Sequence, residues 1–238
     1  MSSSLLLQAE SITKSFSGVP ALINGQLALR AGTVHALCGG NGAGKSTLLN
    51  ILMGILKLDS GTVRMDGREI HFNSPQDALK AGIAIISQEL EPVPEMSVAE
   101  NIYLGREPRH YFGIIDKRTM HEQAAELLGS LELGLSPETK LGSLSIADMQ
   151  MVEIARAISR NARVIIMDEP TSAIGEHETE LLFKAIKRLK ARGTGIIYVS
   201  HRMNELFRIA DEYTIMRDGA HIESGIMADI NRHRLITA

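Results

Sequence analysis

Apolar and polar positions change rhythm along the 238-residue chain. The first stretch carries short apolar runs at Leu5 to Ile12, Ala21 to Leu29 and Thr33 to Leu37, broken at Gly18-Val-Pro and Arg30-Ala-Gly, and it predicts strands. Beyond a glycine cluster at 39–44, Leu48, Ile51, Leu52 and Ile55 recur at the spacing of one helix face, so a helix is expected over Ser46 to Leu56. Gly61 to Gly67 and Glu69 to Phe72 predict a hairpin turning at Asp66-Gly67. A short helix at Pro75 to Lys80 and an apolar strand at Ile83 to Ser87 follow.

Strand signals then vanish. Val98 to Leu104, Lys117 to Leu131 and Ile146 to Arg160 all favour helix, which places a helical subdomain at about 89–160. Within it Met120, Ala124, Leu127, Leu128 and Leu131 form one stripe, read as core. Alternation returns with a strand at Arg163 to Met167, a helix from Glu176 to Arg192, a strand at Gly195 to Val199, a helix near Met203 to Ile209 and an antiparallel pair over Glu212 to Ile222. Strands alternating with helices imply the α/β class, with a mostly parallel sheet covered on both faces. The helix from Glu176 has acids early, Lys187 to Arg192 late and Gly193 beyond, in agreement with its macrodipole and C-cap.

Composition narrows the partners more than the fold. With 44% hydrophobic and 22% charged residues the chain is an ordinary globular protein and not a disordered one. The lone cysteine, Cys38, cannot form an internal disulfide, and Met1-Ser-Ser-Ser leading to Leu5, Gln8 and Glu10 is no secretory signal, so a reducing, cytoplasmic setting is expected. Apolar runs such as Val164-Ile-Ile-Met fall far short of the roughly 18 residues of a membrane span. Lys+Arg 25 against Asp+Glu 28 gives a net charge of −3, and nucleic acid is not an expected partner.

The chemistry concentrates at two places. Gly39-Gly40-Asn41-Gly42-Ala43-Gly44-Lys45-Ser46-Thr47 matches G-x-x-x-x-G-K-[ST], directly after an apolar strand and opening a helix. A glycine-rich backbone there can turn successive N–H groups and a helix N-terminus onto an anion. Lys45 offers a charge to the outer phosphates, and the Ser46 hydroxyl suits Mg²⁺, which prefers oxygen ligands. Cys38 beside this loop reads as a small buried residue. The second place is Val164-Ile-Ile-Met-Asp168-Glu169-Pro170, where an apolar strand ends in two acids at the edge where α/β sheets bind ligands. Asp168 is a direct or indirect Mg²⁺ partner, and Glu169 can orient and deprotonate a water attacking the γ-phosphate.

Gly39 to Thr47, Gln88 after Ile83-Ala-Ile-Ile-Ser, Leu144-Ser145 before a helix, Asp168 to Ala173, and His201 after Ile196-Ile-Tyr-Val-Ser occur in the order found in ATP-binding cassettes of ABC transporters, which the chain resembles over nearly its whole length. Pro94 to Ile102, Leu104 to Pro108, Gln150 to Ala155 and Ser200 to Glu205 resemble the first cassette of double-cassette sugar importers, proteins about twice this length. The resemblance implies a P-loop NTPase core (1–88 and 161–238) with an N-terminal antiparallel β-subdomain and an inserted helical subdomain, in a single cassette domain over 1–238. It implies ATP hydrolysis with Mg²⁺, a second cassette, transmembrane permease subunits, indirectly a solute-binding protein, and a peripheral place on the inner face of the cell membrane. By the same resemblance Phe16 stacks on adenine, Gln88 contacts Mg²⁺ and the attacking water, and His201 holds the γ-phosphate. From the residues alone, Phe16 reads equally as a strand-edge core residue and Gln88 as a loop residue.

Two segments depart from the family pattern. Where the family has Leu-Ser-Gly-Gly-Gln, this chain has Leu144-Ser145-Ile146-Ala147-Asp148, which weakens the expected clamp on a partner cassette's γ-phosphate and adds a negative charge there. The S-x-x-D spacing also predicts a capping box between Ser145 and Asp148. Ser172-Ala173-Ile174-Gly175 lacks the family's closing aspartate. The residues facing the chain's own nucleotide keep the pattern while those offered to a partner change. A pair of unequal composite sites is therefore expected. The competing readings are a non-transport cassette and a nucleotide-gated interaction module with weak hydrolysis.

Overall fold

The computed structural model describes residues 5–86 and 92–237. The described strands are β1 (Leu5–Phe16), β2 (Val19–Arg30), β3 (Val34–Cys38), β4 (Ser60–Met65), β5 (Arg68–Glu69), β6 (Ile83–Ile86), β7 (Val164–Asp168), β8 (Gly195–Val199), β9 (Glu212–Arg217) and β10 (Ala220–Ile226). The α-helices are α1 (Lys45–Leu52), α2 (Pro75–Lys80), α3 (Val98–Tyr103), α4 (Lys117–Ser130), α5 (Ile146–Ile158), α6 (Glu176–Ala191), α7 (Met203–Ile209) and α8 (Arg232–Thr237). The chain divides into two compact units, one of residues 1–85, 162–169 and 188–238, the other of 86–161 and 170–187.

The strands lie in one sheet in the order β5-β4-β1-β2-β10-β9-β3-β8-β7-β6. β3 pairs in parallel with both β8 and β9, and β7 with β8. Every residue of β3 and β8 is buried, as strands covered on both faces of a parallel sheet are, and the one polar residue of β3, His35, is hydrogen-bonded to Thr214 at 2.8 Å. The other side is antiparallel: β1 pairs with β2 and β4, and β4 with β5. The antiparallel and parallel sides meet where β10 pairs with β2 through Ala220 and Asn24.

Element boundaries moved where backbone chemistry outweighed periodicity. β1 and β2 run longer than their apolar alternation because the hairpin turns at Ser17 (φ 49) and Gly18 (φ 83), a pair of positive-φ residues that suits the twist of a two-residue connection and leaves Val19 and Pro20 in the strand. α1 stops at Leu52, four residues early. Gly54 (φ +69) turns the chain there, and a Cβ on it would lie 2.6 Å from the Ser74 carbonyl oxygen. Ile55, expected on the buried helix face, is consequently 53% exposed. The interior of this unit is a cluster drawn from β1 to β4, β6 to β9, α1 and α2, including Leu7, Leu29, Leu37, Leu48, Leu52 and Ile166.

In the other unit, α3 packs on α4 and α5. Met120, Ala124, Leu128 and Leu131 are buried, and Leu127 is partly so, as the stripe predicted. Ser97 caps α3 in a reciprocal capping box with Glu100. The buried Asn101 accepts the Val93 N–H at 2.9 Å and donates to the carbonyl oxygens of Val93 and Ser97 at 3.1 and 3.0 Å. Arg106 donates to the Ile102 carbonyl at 2.9 Å and the Ser159 hydroxyl at 2.6 Å, placing a cation at the carbonyl ends of α3 and α5.

Candidate functional site

β3 ends at Cys38, and the chain crosses from strand to helix through Gly39–Gly44. Glycine is demanded at both ends of this crossing. A Cβ on Gly39 (φ +150) would sit 2.4 Å from the Met216 carbonyl oxygen, and one on Gly44 (φ +92) 2.7 Å from the Leu22 side chain. Gly40 meets no such crowding. Gly44 is the N-cap of α1 and carries no side-chain cap, and no acid lies in the helix's first turn. The N-terminus therefore presents N–H groups and a positive dipole end without a competing side chain. Lys45 folds back over the loop, donating to the carbonyl oxygens of Gly39 at 2.8 Å and Gly40 at 3.0 Å. Asn41 and Ser46 are exposed, Thr47 is half-buried and Ala43 is buried.

Cys38 is buried, and burial pushes its thiol up to about 12 despite Lys45 nearby, so it stays a protonated packing residue. A cavity of about 460 Å³ opens beside the loop, lined by Gly39, Asn41, Ser200, His201, Met216 and Asp218 among others.

β7 brings Asp168 to its C-terminal end, in register with Val199 at the end of β8. Burial, and then the charge of Glu169, hold the Asp168 carboxyl above the usual aspartate range, with Lys45 opposing. Glu169 sits at φ +50 and its N–H donates to the Val199 carbonyl at 2.9 Å. Strain of this kind in a non-glycine residue costs on the order of 1–3 kcal/mol and gathers at functional positions. The twisted backbone turns the Glu169 side chain toward the next strand end, where His201 Nδ1 lies 3.2 Å from Glu169 Oε2. Parallel pairing of β7 and β8 thus joins two residues that are 32 positions apart in sequence, 169 and 201.

Phe16, at the end of β1, is 45% exposed, with Lys14 Nζ 5.8 Å from its ring centroid. It is a solvent-facing ring and not a core residue. Gln88 lies outside the described residues.

Ser145 belongs to the other unit, as the N-cap of α5. The expected capping box takes a different form. The Ser145 hydroxyl accepts the Asp148 N–H at 3.1 Å and donates to Asp148 Oδ2 at 2.7 Å, so the carboxylate takes the hydroxyl proton where a reciprocal box would take the N-cap backbone N–H. In the 172–175 segment Ile174 is buried and the Gly175 N–H donates to Glu178 at 3.2 Å.

Sequence reasoning missed Glu205. Its carboxylate is buried beneath the His201 turn and accepts hydrogen bonds from Tyr198 and Ser200. The one available signal was its place in the first turn of a helix four positions after His201.

Residues 22–172 match the family described as ABC transporter. The chain belongs to that family. Its fold is that of the family's cassettes: the ADP conformation of an ATP-binding cassette of an ABC transporter superposes with a TM-score of 0.83, at 28% identity and covering 98% of both chains. A nucleotide-free cassette matches at a TM-score of 0.81 and 29% identity, over 93% of this chain and 91% of that one. A dimeric cassette in a post-hydrolysis state bound to ADP and Pi matches at 0.79 and 25%, over 93% and 99%. Among curated proteins, a putative ribose/galactose/methyl galactoside import ATP-binding protein 2 of Agrobacterium fabrum is 52% identical over 231 residues, 97% of this chain and 45% of its own length. A similarly described protein of Halalkalibacterium halodurans is 51% identical over 99% of this chain and 45% of its own length. The chain spans about half the length of these relatives. No described helix of this cassette is long and apolar enough to cross a membrane.

Proposed function

We propose that this chain is an ATP-binding and hydrolysing cassette that energises an ABC importer, working as one domain over 1–238 with 89–160 as its helical subdomain. The observation that carries the proposal is the convergence of an uncapped, glycine-rich helix start with a Glu169–His201 pair at the ends of parallel strands. The phosphates lie against the N–H groups of Gly42 to Thr47, and Lys45 leaves the carbonyls of Gly39 and Gly40 for them. Phe16 offers an exposed ring for the adenine. Glu169 holds the attacking water and takes its proton, while a His201 N–H, on a ring 3.2 Å from Glu169, donates to the γ-phosphate.

The residues suit Mg²⁺ arriving with the nucleotide. Among the described residues there is no cluster of three or more His, Cys, Asp or Glu to hold a metal ion by themselves, whereas Asp168 carries a partly desolvated carboxyl that a dication would relieve. Ser46 and Asp168, with Gln88 by family resemblance, would hold it, and it would neutralise charge on the β- and γ-phosphates.

A sugar is the favoured cargo because the similar proteins of Agrobacterium fabrum and Halalkalibacterium halodurans are described as putative ribose/galactose/methyl galactoside import ATP-binding proteins. Permease subunits would keep the cassette on the inner face of the membrane, with a solute-binding protein supplying the sugar. The Ser145–Asp148 hydrogen bond supports an unequal pair of composite sites, since the hydroxyl proton a clamp would offer is already taken. That same bond favours the second reading, a nucleotide-gated module with weak hydrolysis.

MgATP affinity and phosphate release, measured on this chain alone and with a second cassette bearing Leu-Ser-Gly-Gly-Gln, test the proposal. Binding alone, with release appearing on pairing, is the expected result. Failure to bind MgATP would overturn it, and absence of release in the pair would leave only the second reading.

A further inference from the structure

The turn that presents His201 is held from below by one buried carboxylate. Glu205 is the third residue of α7, where an acid ordinarily reaches back to the N-cap backbone N–H. Here the Arg202 N–H is instead taken by the Ser200 hydroxyl oxygen at 3.0 Å. The Glu205 side chain, 8% exposed, is turned inward. Its Oε2 accepts from the hydroxyl of the fully buried Tyr198 at 2.8 Å and from Ser200 Oγ at 3.0 Å, and its Oε1 accepts from the Arg202 guanidinium at 3.3 Å. The residues immediately before and after His201 are therefore both tied to Glu205, and Glu205 is tied to β8 through Tyr198. These donors offset part of the cost of taking the Glu205 carboxyl group out of water. The imidazole of His201, by contrast, stands mostly in solvent at 68% side-chain exposure, 3.2 Å from Glu169. The backbone of Ser200–Arg202 sets its direction.

We propose that Glu205 is a positioning residue for His201, acting through Ser200 and Arg202, with Tyr198 as the fixed point on the sheet. The inference rests on the reading of His201 as a γ-phosphate contact. It predicts that loss of the anchor is felt by ATP and not by ADP, because only ATP carries the group His201 would meet.

Isothermal titration of the full chain with MgATP and with MgADP tests this in Glu205→Ala, Glu205→Gln, His201→Ala and the double variant Glu205→Ala/His201→Ala. Loss of one hydrogen bond to a charged group weakens binding by about 10- to 100-fold, and the solvent-facing imidazole belongs at the low end. Glu205→Ala and His201→Ala should each lose about that much MgATP affinity, keep MgADP affinity within about twofold, and show no further loss when combined, as residues acting through one contact are not additive. Glu205→Gln keeps an amide oxygen for Tyr198 and Ser200 but turns its NH2 toward the Arg202 guanidinium, so it should restore part of the MgATP affinity. Equal loss of MgATP and MgADP in Glu205→Ala would overturn the inference, as would MgATP binding unchanged in Glu205→Ala but weakened in His201→Ala. Should His201→Ala itself leave MgATP binding intact, the γ-phosphate reading fails and the inference falls with it. If Glu205→Ala does not fold, Ser200→Ala, which removes the hydroxyl bonded to both Glu205 and the Arg202 N–H, replaces it in every comparison.

Discussion

Helix α1 starts behind Gly44, with no side-chain cap and no acid in its first turn. Helix α5 starts behind Ser145, whose hydroxyl accepts an N–H while Asp148 adds a carboxylate to the first turn. Both are helix N-termini, both follow a family motif, and both have the dipole that attracts anions. One has been left open and lysine-bearing, and the other has been closed by the chain's own groups. A helix start becomes an anion site when the local sequence declines to satisfy it, and glycine declines where serine does not.

The most severe loss is expected in the chemistry. Glu169→Gln should lower phosphate release by about 10³-fold in the paired cassettes, within the usual range for a general base, while MgATP still binds. Retained turnover, read by a phosphate-release assay, would remove Glu169 from the reaction. Next is Lys45→Ala, expected to weaken MgATP binding by about 10²-fold, the scale of a lost charge-assisted bond. If titration finds full affinity, the open helix start does not hold the phosphates. Ser145→Ala should cost about 1 kcal/mol of stability by removing the α5 cap, measurable by urea denaturation. If stability is unchanged, the cap is not what closes that helix.

The smallest effect concerns pH. The Asp168 carboxyl is raised by burial and by Glu169, so the folded protein binds its proton more tightly than the unfolded chain does. The ionised group therefore opposes folding above that raised value, and the penalty fades as pH falls through it. Asp168→Asn should raise the melting temperature slightly at neutral pH while weakening MgATP binding. A lower melting temperature would show the carboxylate to be stabilising.

Much of this was readable in the residues because periodicity and motif agreed. Gly39 to Thr47 announced its strand, loop and helix, and the burial of Met120, Ala124, Leu128 and Leu131 followed from their spacing. What escaped notice depends on pairing between distant strands. No local pattern says that Glu169 takes φ +50 and faces His201, since that follows from β7 lying beside β8. The inward turn of Glu205 was hidden because an acid in a first helical turn has an ordinary explanation in the dipole. The early end of α1 came from Gly54 meeting Ser74, a contact across 20 positions of sequence, 54 to 74.

The junction of β2 with β10 has a consequence for how the molecule breathes. Ala220 and Asn24 form the bridge there, supported by Ile23 and Asn24 N–H groups reaching the Gly219 carbonyl at 2.7 and 3.3 Å. Backbone bonding across this line is sparse, although side-chain packing continues through it from Leu22 to Leu37. Amide hydrogens along the line should exchange with solvent sooner than those of β3 and β8. Phe16 stands on one side and Lys45 on the other. A nucleotide touching both would act as a suture, slowing exchange on residues it never contacts.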